Sequence, residues 1–373
     1  MPPKKTLPKK TLIVTGNNLP ETLKEALTDL CSHTDGIETV PASIASFASG
    51  EPFTELFFGA EQDHAANQKK IKDADVVIVQ STSAPVSESC MQLLLAAASA
   101  KRYGAKSVTA VMPFAAFARQ DREFDGRFTS VAGEDFPRLL KAAGVDGIVT
   151  IDLHSKAAEN FYQQVFGAEN AHFLSSAAFA AETLTQGKAT QETVVFGAPD
   201  GADKPNDRGQ QRAAAVAKAA GLPDKGALFK IWKEHTGVSA TKINRFEGDV
   251  AGKSCIIIDD MTDSGGTLRN AAKTLKQNGA KEAVCYITHG LFTGNALEHL
   301  MTEKTGNSYT IDRLVIADTV PDIAEKLAKL KTQYPAIGKR ITIMPTAALI
   351  TEKIKTLHKT AKTAAQNAPK RGI

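Results

Sequence analysis

The chain has 373 residues, 42% hydrophobic and 23% charged, which is the make-up of a globular protein of about two domains and excludes a disordered or collagen-like chain. Its net charge of +4, part of it in the tails MPPKKTLPKK and KTAKTAAQNAPKRGI, is too small to argue for nucleic acid, and no run of about 18 apolar residues offers a membrane span. Cys31, Cys90, Cys255 and Cys285 stand singly, without zinc or disulfide spacing, and the basic N-terminus lacks the apolar core of a signal peptide, so a reducing, cytoplasmic compartment is expected.

After the tail over 1–10, TLIVTG (11–16) reads as a strand and LPETLKEALTDLCSH as the helix behind it. Ile37–Phe47 continues as strand and connection into SFASGEPFTELFF, where Glu51 follows a glycine turn. ADVVIVQS (74–81) has a run of branched residues without polar alternation, as in a strand buried on both faces. Ser87–Tyr103 is helical and ends at Gly104; SVTAVMPF (107–114) is the next strand. The densely charged AAFARQDREFDGR (115–127) follows directly, at the carboxyl end of a strand, where open α/β sheets bind ligands. Glu134–Ala143 is a helix, and GVDGIVTIDLHS is a loop and strand ending in Asp152-Leu153-His154-Ser155. Residues two apart share a strand face, so Asp152 and His154 there suit a metal or phosphate contact. Ala157–Val165 is helical.

Residues 167–190 lead into a second half, with AAFAAETLT helical. TVVFGAPDGAD (193–203) is a strand ending in Asp200-Gly201, and Arg208–Ala220 is an Ala-rich helix stopped by Gly221. GALFKIWKEHTG (226–237) is a strand running into a charged loop, and Val238–Glu247 is polar with weak periodicity. GDVAGKS (248–254) looks like a P-loop, but it has too few residues between its glycines and precedes its strand, so it reads as a turn. SCIIIDDMTDSGGTL (254–268) is the richest stretch. A strand over Cys255–Ile258 delivers Asp259 and Asp260 at its carboxyl end, and Met261-Thr262 turns. Asp263-Ser264-Gly265-Gly266-Thr267 then feeds the helix LRNAAKTLKQNGA. Free amides and the positive end of a helix favour a phosphate, glycines let the backbone approach it, and the carboxylates suit sugar hydroxyls or a metal ion. CYITHGLFTGNALEHL (285–300), RLVIADTV (313–320), IAEKLAKL and RITIMP (340–345) continue the alternation, and Thr351–Gln366 is a final helix. The pattern predicts two doubly wound α/β domains over 11–168 and 169–350, then a helix and tail over 351–373 that can pack back on the first domain.

Several of these segments together resemble one family, ribose-phosphate diphosphokinase, also called phosphoribosyl pyrophosphate synthetase. The Asp259–Thr267 stretch resembles its ribose-5-phosphate loop, and Phe114–Arg122, with ARQDR, its ATP loop. TIDLHS (150–155), APDG (198–201), THGLFTGNA (288–296) and IADT (316–319) resemble further blocks in the family's order. The aspartate loop alone is shared with phosphoribosyltransferases, whereas ARQDR and DLH in one chain are far more specific.

The resemblance implies two parallel-sheet domains of phosphoribosyltransferase-like plan. It implies transfer of the β,γ-diphosphoryl group of Mg-ATP to the 1-hydroxyl of ribose 5-phosphate. It also implies a homo-oligomer in which Phe47, Ser49 and Glu51 reach the adenine at a neighbouring subunit's site. Arg119, Gln120, Asp121 and Arg122 would meet ATP; His154 and Asp200 would bind Mg²⁺, or His154 would hold a phosphate or a metal-bound water. Asp259 and Asp260 would hold ribose hydroxyls, Asp263, Ser264, Gly265, Gly266 and Thr267 the 5-phosphate. Lys233 would stabilise the transferring group from a mobile loop. Departures lie on the nucleotide side. Ser49 stands where the family usually has an acid or amide, and Lys233-Glu234-His235 replaces Lys-x-Arg. Glu123-Phe124-Asp125 is acidic where the family is basic. A weakly active or non-catalytic regulatory homologue is the alternative; a phosphoribosyltransferase is disfavoured by ARQDR and DLH.

Overall fold

The computed structural model describes residues 10–57, 59, 63–123, 127–185, 190, 192–199, 208–222, 228–235 and 241–367, except for the side chains of 233–235, 241–244 and 364–367. The chain divides into two compact units, one of residues 1–174 and 346–373, the other of 175–345.

The first unit runs β1 (Thr11–Thr15), α1 (Glu21–Ser32), β2 (Ile37–Val40), β3 (Ala42–Ser46), β4 (Pro52–Leu56), α2 (His64–Ile71), β5 (Asp75–Val79), α3 (Val86–Arg102), β6 (Ser107–Met112), α4 (Ala132–Ala142), β7 (Gly147–Ile151), α5 (Lys156–Phe166) and β8 (Ala171–Leu174). Its main sheet is parallel in the order β2-β1-β5-β6-β7-β8. Such a sheet is covered on both faces, which is why β5 and β7 are continuous apolar runs. Leu23, Leu27 and Leu30 of α1 recur at helical spacing and pack on Ile13, Val77 and Val111 of the sheet. Each fully buried leucine contributes about 2 kcal/mol. β3 and β4 form an antiparallel hairpin outside this sheet, where the sequence suggested strand and connection.

The second unit runs α6 (Ala177–Thr185), β9 (Val194–Gly197), α7 (Arg208–Ala219), β10 (Lys230–His235), β11 (Thr241–Glu247), β12 (Ser254–Thr262), α8 (Gly266–Gln277), β13 (Glu282–Gly290), α9 (Ala296–Thr302), β14 (Lys304–Thr305), β15 (Ser308–Tyr309), β16 (Arg313–Ala317), α10 (Ile323–Gln333), α11 (Pro335–Gly338) and β17 (Ile341–Met344). Its sheet is parallel, ordered β17-β16-β13-β12-β9. The two faces are separate cores. Cys255 and Ile257 pack against Leu268 and Leu275 of α8, while Ile256 and Ile258 pack against Ala213 and Val216 of α7. Cys255 and Cys285 are completely buried as small apolar side chains, and burial pushes the Cys255 thiol up to about 12. The last helix, α12 (Ala347–Asn367), belongs to the first unit: Ile350 and Ile354 enter the α1 core, and buried His358 shares a 2.9 Å hydrogen bond between its Nδ1 and Thr11 Oγ1.

Three local expectations are corrected. Met261 and Thr262 do not turn; β12 carries on through them because β13 extends alongside, pairing Met261 with His289 and Thr262 with Gly290. The polar stretch before Glu247 is a strand, β11, since antiparallel pairing with β10 supplies the partner its weak periodicity could not reveal. Asp152 and His154 do not share a strand face, because β7 ends at Ile151 and Asp152 turns the chain with φ of 40°. The division between the units falls after Leu174, close to the boundary expected between 168 and 169, and β8 pairs with β7 in the first unit.

Candidate active site

In the first unit the charged segment leaves β6 through Phe114, Ala115 and Ala116, all buried, and stays pinned to its neighbours. Phe117 takes φ of 63°, with its ring edge-on to Phe136 at 5.3 Å. The Gln120 amide donates to the Phe117 carbonyl at 2.8 Å, and the Gly133 amide to the Gln120 carbonyl at 3.0 Å. A β-carbon on Gly133 would stand 2.9 Å from that Gln120 oxygen, so the start of α4 can close on the loop only as glycine. This frame leaves Arg119, Gln120 and Arg122 exposed. Asp121 is the exception: its side chain is 11% exposed, with Oδ1 3.7 Å from Arg122 Nε.

His154 is half-buried in the bend between β7 and α5, whose first turn is capped by Ser155 Oγ accepting from the Ala158 amide at 3.1 Å. The strand end therefore holds His154 just ahead of a helix N-terminus. Phe47, Ser49 and Glu51 share the tip of the β3–β4 hairpin. The Phe47 amide donates to the Glu51 carbonyl at 2.9 Å and the Gly50 amide to the Phe47 carbonyl at 2.8 Å, with Gly50 at φ of 87°. The Ser49 hydroxyl donates to Glu51 Oε2 at 3.0 Å, and Phe47, 56% exposed, rests on Phe53.

In the second unit β12 presents its two aspartates differently. Alternation along the strand sends Asp260 to the face of Ile256 and Ile258, toward α7. There its Oδ1 lies 3.0 Å from Arg212 Nη1, with Asp260 3% and Arg212 14% exposed. Asp259 belongs to the opposite face, the one followed by the loop into α8, is half-buried, and accepts the Asp260 amide at 3.0 Å. Sequence reasoning treated the pair as equivalent and missed Arg212. The available signal was an arginine four residues before the buried Val216 of an Ala-rich helix.

Residues Asp263 to Thr267 form the entry to α8. Gly265 is its N-cap in the left-handed region, φ 75° and ψ −1°, and no side chain caps the helix. The first turn thus directs unclaimed amides and the positive end of the helix dipole outward, the chemistry of a phosphate cradle, with the Ser264 and Thr267 hydroxyls beside it. A second loop supports the first: the Leu291 amide donates to the Thr262 carbonyl at 2.9 Å and the Thr293 amide to the Asp263 carbonyl at 3.3 Å. Gly265→Ala is expected to cost about 1–2 kcal/mol, because the new methyl meets left-handed strain and stands 3.2 Å from Leu300 Cδ1. Urea denaturation measures this; an unchanged midpoint and slope would contradict it.

Lys233 and His235 occupy the far end of β10, opposite Ile243 and Thr241 of β11, after a register shift between Trp232 and Lys233. The backbone there is a strand where a loop was expected, and the two side chains lie outside the description. Asp200 also lies outside the described residues. Among the described residues no three His, Cys, Asp or Glu gather as a metal cage. The proposed donor set fits Mg²⁺ only through the hard oxygens of Asp200, with His154 an atypical ligand. Mg²⁺ ordinarily takes one or two protein carboxylates and completes its shell with waters and substrate phosphates, so a dedicated cage is not required of it. No helix among the described residues is long and apolar enough to cross a membrane.

Residues 11–144 match the family model of the N-terminal domain of ribose phosphate pyrophosphokinase, and residues 210–364 that of the phosphoribosyl synthetase-associated domain. A ribose-phosphate pyrophosphokinase of Hyphomonas neptunium is 31% identical over 77% of this chain and 82% of its own length. One from Bradyrhizobium diazoefficiens is 30% identical over 95% of each chain. The crystal structure of phosphoribosylpyrophosphate synthetase from Mycobacterium smegmatis shares the fold, with a TM-score of 0.73 at 24% identity, covering 94% of this chain and all of that one.

Proposed function

This chain belongs to the ribose-phosphate pyrophosphokinase family, and we propose from that premise that it transfers the β,γ-diphosphoryl group of Mg-ATP to the 1-hydroxyl of ribose 5-phosphate, giving phosphoribosyl pyrophosphate and AMP. The observation that carries the reading is the uncapped entry to α8, with Gly265 left-handed and Asp259 on the strand face leading into it, in a chain of this family.

The 5-phosphate sits on the first-turn amides of α8 with Ser264 and Thr267, and Asp259 accepts from ribose hydroxyls. Asp260 joins it as the aspartate whose charge Arg212 balances. The sugar's 1-oxygen attacks the β-phosphorus. That O–P bond forms as the bond from the β-phosphorus to the bridging oxygen breaks, the bridging oxygen leaves on AMP, and the hydroxyl proton passes to solvent. Such a transfer needs little covalent chemistry from the protein and depends on positioning and on balancing phosphate charge. Arg119 and Arg122 serve that end through planar, forked contacts with phosphate oxygens, Gln120 adds an amide, and Asp121 orients Arg122. Lys233, near the end of β10, meets the transferring group, with His235 two residues further on. Asp200 and His154 are the residues that would bind Mg²⁺ beside the nucleotide's phosphates, and the ion would supply charge neutralisation there.

Phe47, Ser49 and Glu51 form an adenine contact offered by the hairpin tip to a neighbouring copy, in a homo-oligomer; an exposed phenylalanine at the tip supports this. Four cysteines without disulfides accord with a cytoplasmic enzyme. Purified protein given Mg-ATP and ribose 5-phosphate is expected to release AMP and no ADP, followed by chromatography of the nucleotides. Absence of AMP across metal and phosphate conditions would leave the non-catalytic homologue, whose motive is Ser49 and His235.

A further inference from the structure

β5 ends at Val79, and the next four residues, Gln80, Ser81, Thr82 and Ser83, are polar yet wholly buried. Buried polar groups persist only when hydrogen-bonded, so each of the four must have work for its polar atoms. Part of this stretch turns toward the loop after β1. The Asn18 amide donates to Gln80 Oε1 at 3.2 Å, and Asn18 Nδ2 donates to the carbonyls of Ser81 and Ser83 at 3.0 and 3.1 Å. Gln80 Nε2 donates onward to Gln92 of α3 at 3.3 Å.

Thr82 turns the other way, to the segment that leaves β6. Its amide donates to the Phe114 carbonyl at 3.0 Å, and its hydroxyl donates to the same carbonyl at 2.8 Å. That hydroxyl also accepts the Ala116 amide at 2.8 Å. One side chain thus uses both its donor and an acceptor position on a backbone that water does not reach, Phe114 being 7% and Ala116 3% exposed. Arg119 follows Ala116 by three residues. The Gln120–Phe117 and Gly133–Gln120 backbone bonds carry the same frame through the rest of the loop.

We propose that Thr82 is a positioning residue for nucleotide binding: its hydroxyl sets the exit of the loop from β6 and thereby the placement of Arg119, Gln120 and Arg122. This rests on the reading of that loop as the ATP loop. Thr82 touches no substrate; it acts through the backbone of Phe114 and Ala116. Valine matches threonine in shape but cannot accept the Ala116 amide, which would be left buried without a partner. Serine keeps the hydroxyl.

The test measures calorimetric binding of an ATP analogue whose α–β bridge is methylene, and separately of ribose 5-phosphate, for wild type, Thr82→Val and Thr82→Ser. Thr82→Val is expected to weaken the nucleotide roughly tenfold, with ribose 5-phosphate affinity within about twofold of wild type; Thr82→Ser is expected to restore most of the loss. Equal weakening of both ligands, an unchanged nucleotide affinity, or no recovery with serine would overturn the proposal. Should Thr82→Val not fold, amide hydrogen exchange in the unaltered protein decides, with Ala116 expected among the protected amides of the first unit. Exchange there as fast as at exposed Arg122 would sink it. Wild type that binds the analogue but releases no AMP would overturn the enzymatic reading alone. Wild type that fails to bind it would overturn both.

Discussion

Arg212→Gln is expected to destabilise the second unit by about 3–5 kcal/mol, the usual consequence of removing one partner from a buried ion pair. The physical reason is the asymmetry of the pair. Asp260 is 3% exposed and keeps its position on β12 whatever happens to Arg212, so the substitution leaves a carboxylate in a water-poor site without its guanidinium. Asp260→Asn leaves the charge on Arg212 instead, which is 14% exposed and sits on a long side chain that can shift toward water, so a smaller loss is expected. Combining the two changes removes both charges and keeps an amide on each side. The double variant should recover most of the stability lost by Arg212→Gln. Urea denaturation of the three proteins measures this, and a single change within about 0.5 kcal/mol of wild type would show that the pair contributes nothing. Activity separates the structural from the functional part. If Asp260 holds a ribose hydroxyl, the double variant folds but has a raised KM for ribose 5-phosphate; a normal KM would leave Asp259 as the carboxylate that matters.

Lys233→Ala should lower turnover by roughly a thousandfold, while KM for ribose 5-phosphate moves by less than about threefold. Cations that meet a transferring phosphoryl group act mainly on charge that grows in the transition state, so their loss appears in kcat. Lys233 lies in β10 and is assigned to the transferring group, whereas the α8 entry is the proposed seat of the sugar phosphate, and this division of roles underlies the expected split between the two constants. Steady-state AMP release with each substrate varied in turn measures it. A fall in turnover matched by an equal loss of ribose-phosphate binding would remove the assigned role. His235→Arg tests the neighbouring departure. The charge of an imidazole depends on pH near neutrality and that of a guanidinium does not. The variant should be at least as active as wild type, with a flatter pH dependence between pH 6 and 8 or so.

Much of the fold was legible because it is written in local periodicity. The branched runs of β5 and β12 announce strands buried on both faces, and the leucines of α1 an amphipathic helix. What escaped notice was short, polar or dependent on a distant partner: α2, capped by Asp63 but with little apolar pattern; the β14–β15 ribbon; and β11, whose pairing with β10 gives it a shape its residues do not advertise. At the candidate site the position of the aspartate loop and the ARQDR segment could be read directly. The separation of Asp259 from Asp260 could not, although strand alternation hinted at it, because the arginine waiting on the second face lies 48 residues earlier in the chain.

The sequence by itself determined the order of strand–helix units, the strand ends that carry polar residues, and the glycine-bearing entry to α8, since each depends on neighbours within a few residues. Only the tertiary structure decided that Arg212 balances Asp260, that Thr82 ties β5 to the segment after β6, and that α12 completes the core of the first unit. Those contacts join residues far apart along the chain, and a buried hydroxyl, carboxylate or guanidinium acquires a role only from the group that folding places against it.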